Sequence, residues 1–288
     1  MAGVLGDLER ALESRIVNPD GLADPLIVCI HGGGCTAEYF DVPGFSFCDR
    51  AIARDYSLLL VNRPGHGGSP PNENDNLSSS AEHVLAHVQN VLRERRSDNW
   101  VAVGHSIEAA IVTVIASKRP RGLLGIALSG IGDRPTTAAR TWARGFERGQ
   151  PDAALAQELL FGPPGTFSWR GTKALRHVVE AWRSEEVEET LYRWPSLFAE
   201  SAPQVAVPVH LRLAEMERIW ETGQAVVARL ARAFVSAPSV DAGLLPDGGH
   251  LYEVHHRGAE LGESQLDFFD ELSARLDLDA PAGLAARP

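Results

Sequence analysis

Gly104-His105-Ser106-Ile107-Glu108 follows the apolar run Trp100 to Val103 and precedes a helical pattern, which stands one serine at a sharp strand-to-helix turn. Such a turn lifts the serine Oγ clear of the backbone and aims the N–H of the next residue, Ile107, where an oxyanion can form. Acyl transfer by serine also needs a base for the hydroxyl proton, an acid to orient and charge-stabilise that base, and further N–H donors for the tetrahedral oxyanion. Each has a candidate elsewhere in the chain.

The base is expected at His250. It closes the segment Leu244-Leu245-Pro246-Asp247-Gly248-Gly249-His250, a glycine-rich loop after an apolar run and before a helix containing Leu261, Leu266, Phe269 and Leu272. The run Val209 to Leu213 ends in Ala214-Glu215-Met216-Glu217-Arg218, which puts carboxylates between serine and histidine in chain order. Glu217 is the preferred acid, and Asp133, at the end of the preceding strand, is the alternative. Asp247 is assigned to shaping its turn. A second source of oxyanion donors is His31-Gly32-Gly33-Gly34, directly after Leu26 to Ile30, where missing side chains let backbone N–H groups approach a reacting carbonyl. His83 and His87 are four apart on a helix with no third ligand evident, so a solvated face rather than a metal site is expected; His255 and His256 fall at the polar start of the last helix.

The elements that must position these residues show as short apolar runs alternating with longer helical patterns: Leu26 to Ile30, Ser57 to Val61, Trp100 to Val103, Gly122 to Leu128, Val209 to Leu213 and Gly243 to Leu245. That rhythm predicts an α/β fold with a mostly parallel sheet covered on both faces. Arg15 to Val17, before the turn signal Asn18-Pro19-Asp20-Gly21, adds a short antiparallel edge strand. Leu5, Leu8, Leu12 and Ile16 recur at helical spacing and predict an amphipathic helix at the start of the chain. Between Asp133 and Ala206 the strand rhythm stops, and helical sequence rich in tryptophan and phenylalanine intervenes. The expected organisation is a core of residues 1–133 and 207–276, a helical cap of residues 134–206 and a frayed tail of residues 277–288. Most of the cap aromatics should pack it onto the sheet, with two or three lining an apolar pocket.

Taken together, His31-Gly32-Gly33-Gly34, the loop Asn62-Arg63-Pro64-Gly65-His66-Gly67-Gly68-Ser69, the turn Gly104 to Glu108 and the order serine, acid, histidine make the chain resemble the α/β-hydrolase family over residues 15 to 275. The resemblance implies Ser106 as nucleophile, His250 as base, Glu217 where aspartate is usual, and the N–H groups of Gly33 and Ile107 as oxyanion donors. It also implies that Arg63 to Ser69 is a structural turn. The chain departs from the family's Gly-x-Ser-x-Gly pattern by carrying Glu108 at the second glycine. A carboxylate there must be pushed aside, find partners or enter the site, where it would modify the histidine or donate to substrate. Its carboxylate is expected on the cap side of the pocket.

Composition narrows the classes. A formal charge of −11 and the lack of a Lys/Arg block argue against nucleic acid as a partner. The densest basic run, Arg93, Arg95 and Arg96, includes Glu94 and sits at a helix end. The three cysteines, Cys29, Cys35 and Cys48, show neither an even count nor Cys-x-x-Cys spacing, so no disulfide framework or zinc site is expected. No window approaches the ~18 apolar residues of a membrane span. The expectation is a soluble cytoplasmic serine-dependent hydrolase or acyltransferase without cofactor or metal. Its substrate is a small ester, thioester or lactone with an apolar acyl part, attacked through an acyl-Ser106 intermediate. The alternatives are a non-covalent cyclase, lyase or isomerase using Glu108 and His250, and a catalytically altered protein that binds a small ligand.

Overall fold

The computed structural model describes residues 11–72, 74, 76–95 and 98–279. Its elements are β1 (Ser14–Val17), β2 (Ala23–Ile30), α1 (Phe47–Ala53), β3 (Tyr56–Val61), α2 (Leu77–Arg95), β4 (Trp100–His105), α3 (Ile107–Ser117) and β5 (Leu123–Ser129). The helices α4 (Thr137–Glu147), α5 (Ala153–Phe161), α6 (Trp169–Leu175), α7 (Ser184–Glu188) and α8 (Trp194–Ser201) follow. The chain then returns through β6 (Val209–Ala214), α9 (Gln224–Ala233), β7 (Val240–Leu245) and α10 (Ala259–Asp279).

The strands form one 7-stranded sheet in the order β1-β3-β2-β4-β5-β6-β7, parallel except for β1, which runs antiparallel to β3 with Ser14 opposite Val61. This is the sheet of an α/β-hydrolase fold. β3 and β4 are buried along their whole length, which is why they read as continuous apolar runs rather than alternating ones. The helix α3 is apolar all round and buried from Ile107 to Ala116, as expected of a helix enclosed between the sheet and other helices. Glu108 is the one charged residue in that stretch.

The site follows from the strand order. The chain leaves β2 for β3 on one side and then crosses back to β4 on the other, which opens a crevice at the carboxyl ends of β2 and β4. Ile30 is in register with Gly104, so the glycine loop after β2 and the serine turn after β4 emerge side by side.

Four expectations change. Leu5 and Leu8 lie outside the described residues, while Leu12 is a buried residue before β1 and Ile16 lies within that strand, so the helical spacing does not hold there. The last helix continues to Asp279, past the expected start of the frayed tail, because Leu272 and the preceding apolar positions anchor it to the sheet. His87 is buried on α2 and pairs with Ser14 Oγ at 2.8 Å, so its face is not solvated. His255 is buried in the turn before α10 rather than in a polar helix start. Arg96, from the basic run, lies outside the described residues.

Candidate active site

Ser106 sits at φ 60°, ψ −127°, a left-handed conformation that a non-glycine residue adopts only when its surroundings impose it. Two features hold it there. Its N–H donates to Ser129 O on the neighbouring β5 at 2.8 Å, and Gly104 packs so tightly under the turn that a Cβ would meet the Glu108 backbone at 2.7 Å. Ile107 opens α3, where no preceding intrahelical carbonyl is available to its N–H.

Ser106 Oγ is 2.9 Å from His250 Nε2, and His250 Nδ1 is 2.9 Å from Glu217 Oε2. The other oxygen of Glu217 accepts from the backbone N–H groups of Arg218 at 3.0 Å and Ile219 at 2.8 Å, which fixes the carboxylate in its own loop after β6. All three side chains are buried. A carboxylate against Nδ1 selects the tautomer that leaves Nε2 free to accept from the serine, so the chain Glu217–His250–Ser106 can draw a proton from Oγ.

The competing acids are engaged elsewhere. Asp133 forms a two-pronged pair with Arg229, at 2.7 and 3.0 Å, away from His250. Glu215 accepts from Asp247 N at 3.3 Å, and Asp247, at φ 57°, shapes the turn and pairs with Arg257 at 3.2 Å.

The glycine loop faces the serine beneath a tryptophan. A Cβ at Gly33 would lie 2.7 Å from the Trp182 ring, and one at Gly34, whose φ is +62°, 2.9 Å from it. No side chain fits under Trp182, and that is the steric reason for glycine at both positions. The segment carrying Trp182 is stitched to the loop: Thr36 N donates to Val178 O at 2.9 Å and Glu180 N to Gly34 O at 2.8 Å. Between them lies a cavity of about 520 Å³, lined by the glycine loop, Ser106, His250 and an apolar wall that includes Leu160, Phe161, Phe167, Leu175 and Trp182. Trp142 and Trp194 of the helical insertion pack instead: Trp142 meets Trp182 edge-on at 5.2 Å, and Trp194 donates from Nε1 to Gly132 O at 2.8 Å, whereas Trp169 is exposed. Cys35 lines the cavity as a buried thiol whose pKa burial raises, so it stays protonated.

Glu108 does not line this cavity; its side chain is fully buried behind the glycine loop, with Oε2 3.6 Å from the Cβ position of Gly32. Its Oε1 contacts Arg63 Nε, and the same guanidinium reaches Glu186 Oε1 at 2.8 Å. Glu186 also meets His66 Nε2 at 2.6 Å, and Glu180 meets His66 Nδ1 at 3.1 Å and accepts from Gly67 N at 3.1 Å. Burial pushes the Glu108 carboxyl well up, an effect that Arg63 opposes and the neighbouring Glu186 reinforces. Burial acts the same way on Glu186, but there Arg63 and His66 outweigh it and hold the carboxyl far below its ordinary value. The loop Arg63 to Ser69 is therefore a charged joint between the elbow helix, the glycine loop and the helical insertion. The Glu108 carboxylate does not line the pocket as expected; it is buried against Arg63, whose guanidinium links it to Glu186 of the helical insertion.

Several residues of the site region were not anticipated. His255 Nε2 accepts from Gly249 N at 3.1 Å and so braces the loop that carries His250. Tyr39 stacks on His105 and donates to Glu253 at 2.6 Å. Trp182 carries no mark in the sequence beyond its place in the aromatic-rich insertion. The Gly249–His250 loop and the pair His255-His256 are close in sequence, which is the signal that could have linked them. Among the described residues no group of three or more His, Cys, Asp or Glu side chains is arranged to hold a metal ion, and no helix is long and apolar enough to cross a membrane.

The fold has counterparts among solved structures. A lipase-esterase related protein from Clostridium acetobutylicum superposes with a TM-score of 0.71 at 16% identity, covering 89% of this chain and 99% of that one. A thermophilic esterase from Thermogutta terrifontis gives 0.68 at 17% identity, over 91% and 94%. A monoacylglycerol lipase from Paleococcus ferrophilus gives 0.64 at 17% identity, over 91% and 98%. No curated protein matches the sequence. Residues 27–262 match the profile of the alpha/beta hydrolase family. With that match spanning most of the chain, over the strands and loops that build the serine site, the chain belongs to the alpha/beta hydrolase family.

Proposed function

We propose that the protein is a serine hydrolase that cleaves an ester, thioester or lactone with an apolar acyl part through an acyl-Ser106 intermediate. The observation that carries this reading is the unbroken chain Glu217–His250–Ser106, with 2.9 Å at both links, opening on a cavity of about 520 Å³ with a largely apolar wall. Ester cleavage by the named esterase and lipase relatives supports the substrate class.

In this mechanism His250 Nε2 takes the Ser106 proton as Oγ attacks the carbonyl carbon. The N–H groups of Gly33 and Ile107 receive the oxyanion, and their backbone positions are fixed before substrate arrives, so no reorganisation is required at the moment of reaction. Glu217 stabilises the imidazolium and keeps its orientation. The proton then passes to the leaving alcohol or thiol, and a second acceptor releases the acyl group. The helices between β5 and β6 act as a cap: Trp182 and Phe167 exclude water from the acyl wall, and the pocket volume suits a small acyl group rather than a polymer. The reading as a non-covalent cyclase, lyase or isomerase loses its acid, since Glu108 is turned away from the cavity.

The test is turnover of a p-nitrophenyl ester series of increasing acyl length. Activity on short to medium chains that is abolished in Ser106→Ala, with an unchanged far-UV circular dichroism spectrum, is the expected result. Retained turnover in the folded Ser106→Ala protein contradicts the reading.

A further inference from the structure

The wall of the serine cavity carries one full charge. Among the described residues Arg176, which caps the end of α6, is the one Lys, Arg, Asp or Glu side chain that lines it. Arg176 is exposed, whereas Ser106 and His250 are buried, so the cation stands at the opening of the cavity and the reacting groups at its floor. Thr172, Leu175, Arg176 and Val179 all line the space, and their spacing of three and four puts them on one side of the helical path.

This guanidinium is not spent on the protein. It makes no hydrogen bond or ion pair with the described residues, and the acids on either side of it in the chain are engaged, Glu158 with Arg218 and Glu180 with His66, each at 3.1 Å. Between those two glutamates the chain has no acid but three cations, Arg170, Lys173 and Arg176, all exposed and none in an ion pair among the described residues. A protein of formal charge −11 repels anions as a whole, yet the helix at the mouth of its site is locally positive. Cations near a helix C-terminus complement its dipole, and that is reason enough for Lys173. It does not account for a guanidinium on the wall of a largely apolar cavity, where a neutral substrate would strip water from the charge and offer no partner in return.

We propose that Arg176 selects substrates that carry an anionic group, such as a carboxylate, across an apolar stretch from the reacting carbonyl; this rests on the acyl-serine reading above. In such a molecule the carbonyl sits at Ser106, the apolar stretch lies along Leu160, Phe167 and Leu175, and the anion reaches the mouth of the cavity. There the guanidinium fork can hold both carboxylate oxygens while staying partly hydrated. Arg176 meets the substrate away from the reacting atoms, so it contributes binding that is the same before and in the transition state. Its loss therefore shows in KM rather than in kcat. The anion can belong to the acyl group, as in a monoester of a dicarboxylic acid, or to the alcohol.

The experiment compares acidic and neutral esters of matched length. On the acyl side, the p-nitrophenyl monoesters of adipic and suberic acid are set against p-nitrophenyl hexanoate and octanoate. On the alcohol side, the hexanoyl ester of para-hydroxybenzoate is set against phenyl hexanoate, all rates being corrected for spontaneous hydrolysis. The parent protein is expected to prefer the acidic ester on one side, and Arg176→Gln to lower that preference in kcat/KM about tenfold, through KM. The side that loses its preference identifies the part of the substrate that bears the anion. Arg170→Gln removes the same charge from the same helix outside the cavity and should change the preference less than about twofold. No preference in the parent on either side, a preference that survives in the folded Arg176→Gln protein, or an equal loss in Arg170→Gln overturns the proposal and leaves the acyl-serine reading standing. Turnover that persists in Ser106→Ala, or a parent protein that cleaves none of these esters, overturns that reading and this proposal with it.

Discussion

The carboxylate of Glu108 rests against the guanidinium of Arg63, and both side chains are closed to solvent. In place of the second glycine of the elbow pattern, the chain thus carries one half of a buried ion pair, and Arg63 carries its charge onward to Glu186 in the helical insertion. A residue that looks like damage to the elbow is a structural member of the joint behind the glycine loop.

Reverting Glu108 to glycine therefore tests that joint. Glu108→Gly removes a fully buried side chain and one carboxylate facing Arg63, and is expected to cost about 2–4 kcal/mol of stability. Glu108→Gln keeps most of the volume and should cost less. Ester hydrolysis is not expected to rise in either variant. Thermal unfolding monitored by circular dichroism provides the check; an unchanged or higher melting temperature for Glu108→Gly contradicts the assigned role.

The assignment of the acid separates two variants. Glu217→Gln retains a similar shape but loses the charge that holds His250 in its working tautomer, and kcat should fall by about 10²- to 10⁴-fold. Asp133→Asn weakens only the pair with Arg229 and should leave kcat near its starting value. Steady-state kinetics of both variants on one ester decide the matter, and the reverse ordering refutes the assignment.

Acid should weaken the fold before the carboxylates titrate. Burial lowers the pKa of His105 to about 4 and of His210 to about 3, from an ordinary 6.5. Between those values and 6.5 the unfolded chain binds protons that the folded chain does not, so stability falls as pH drops through that window, by up to about 1.4 kcal/mol per pH unit for each such group. His210 lies beside Phe268 with neither ring nitrogen hydrogen-bonded within the protein, which makes His210→Phe a conservative probe. Its stability should decline less steeply from pH 6.5 to 4.5, measured by urea unfolding at several pH values. A slope identical to that of the parent protein rejects the linkage.

Legibility in the sequence followed distance along the chain. The strands from Leu26 to Leu245 announced themselves because each is a local run of apolar residues, and the serine turn because its glycine and its neighbouring strand and helix are adjacent in sequence. The order of Ser106, Glu217 and His250 was readable for the same reason: each lies in the turn or loop that follows a β-strand. The partnership of Glu108 with Arg63 and Glu186 was not readable, since three separate loops and helices bring it together only after the sheet forms. Likewise, nothing local marks the stacking of Tyr39 on His105 beside the serine turn. The helical spacing from Leu5 to Ile16 misled because Ile16 is held in β1 by its pairing with Leu59, where tertiary pairing overrides the local period.

The most direct test of the central claim is covalent capture of the serine. A fluorophosphonate reacts only with a serine whose proton is withdrawn and whose developing oxyanion is stabilised, and peptide mass spectrometry then locates the adduct. The account predicts one adduct per chain, on Ser106, formed rapidly in the parent protein, slowly in His250→Ala and not at all in Ser106→Ala. A folded parent protein that remains unlabelled, or one labelled at another residue, contradicts it.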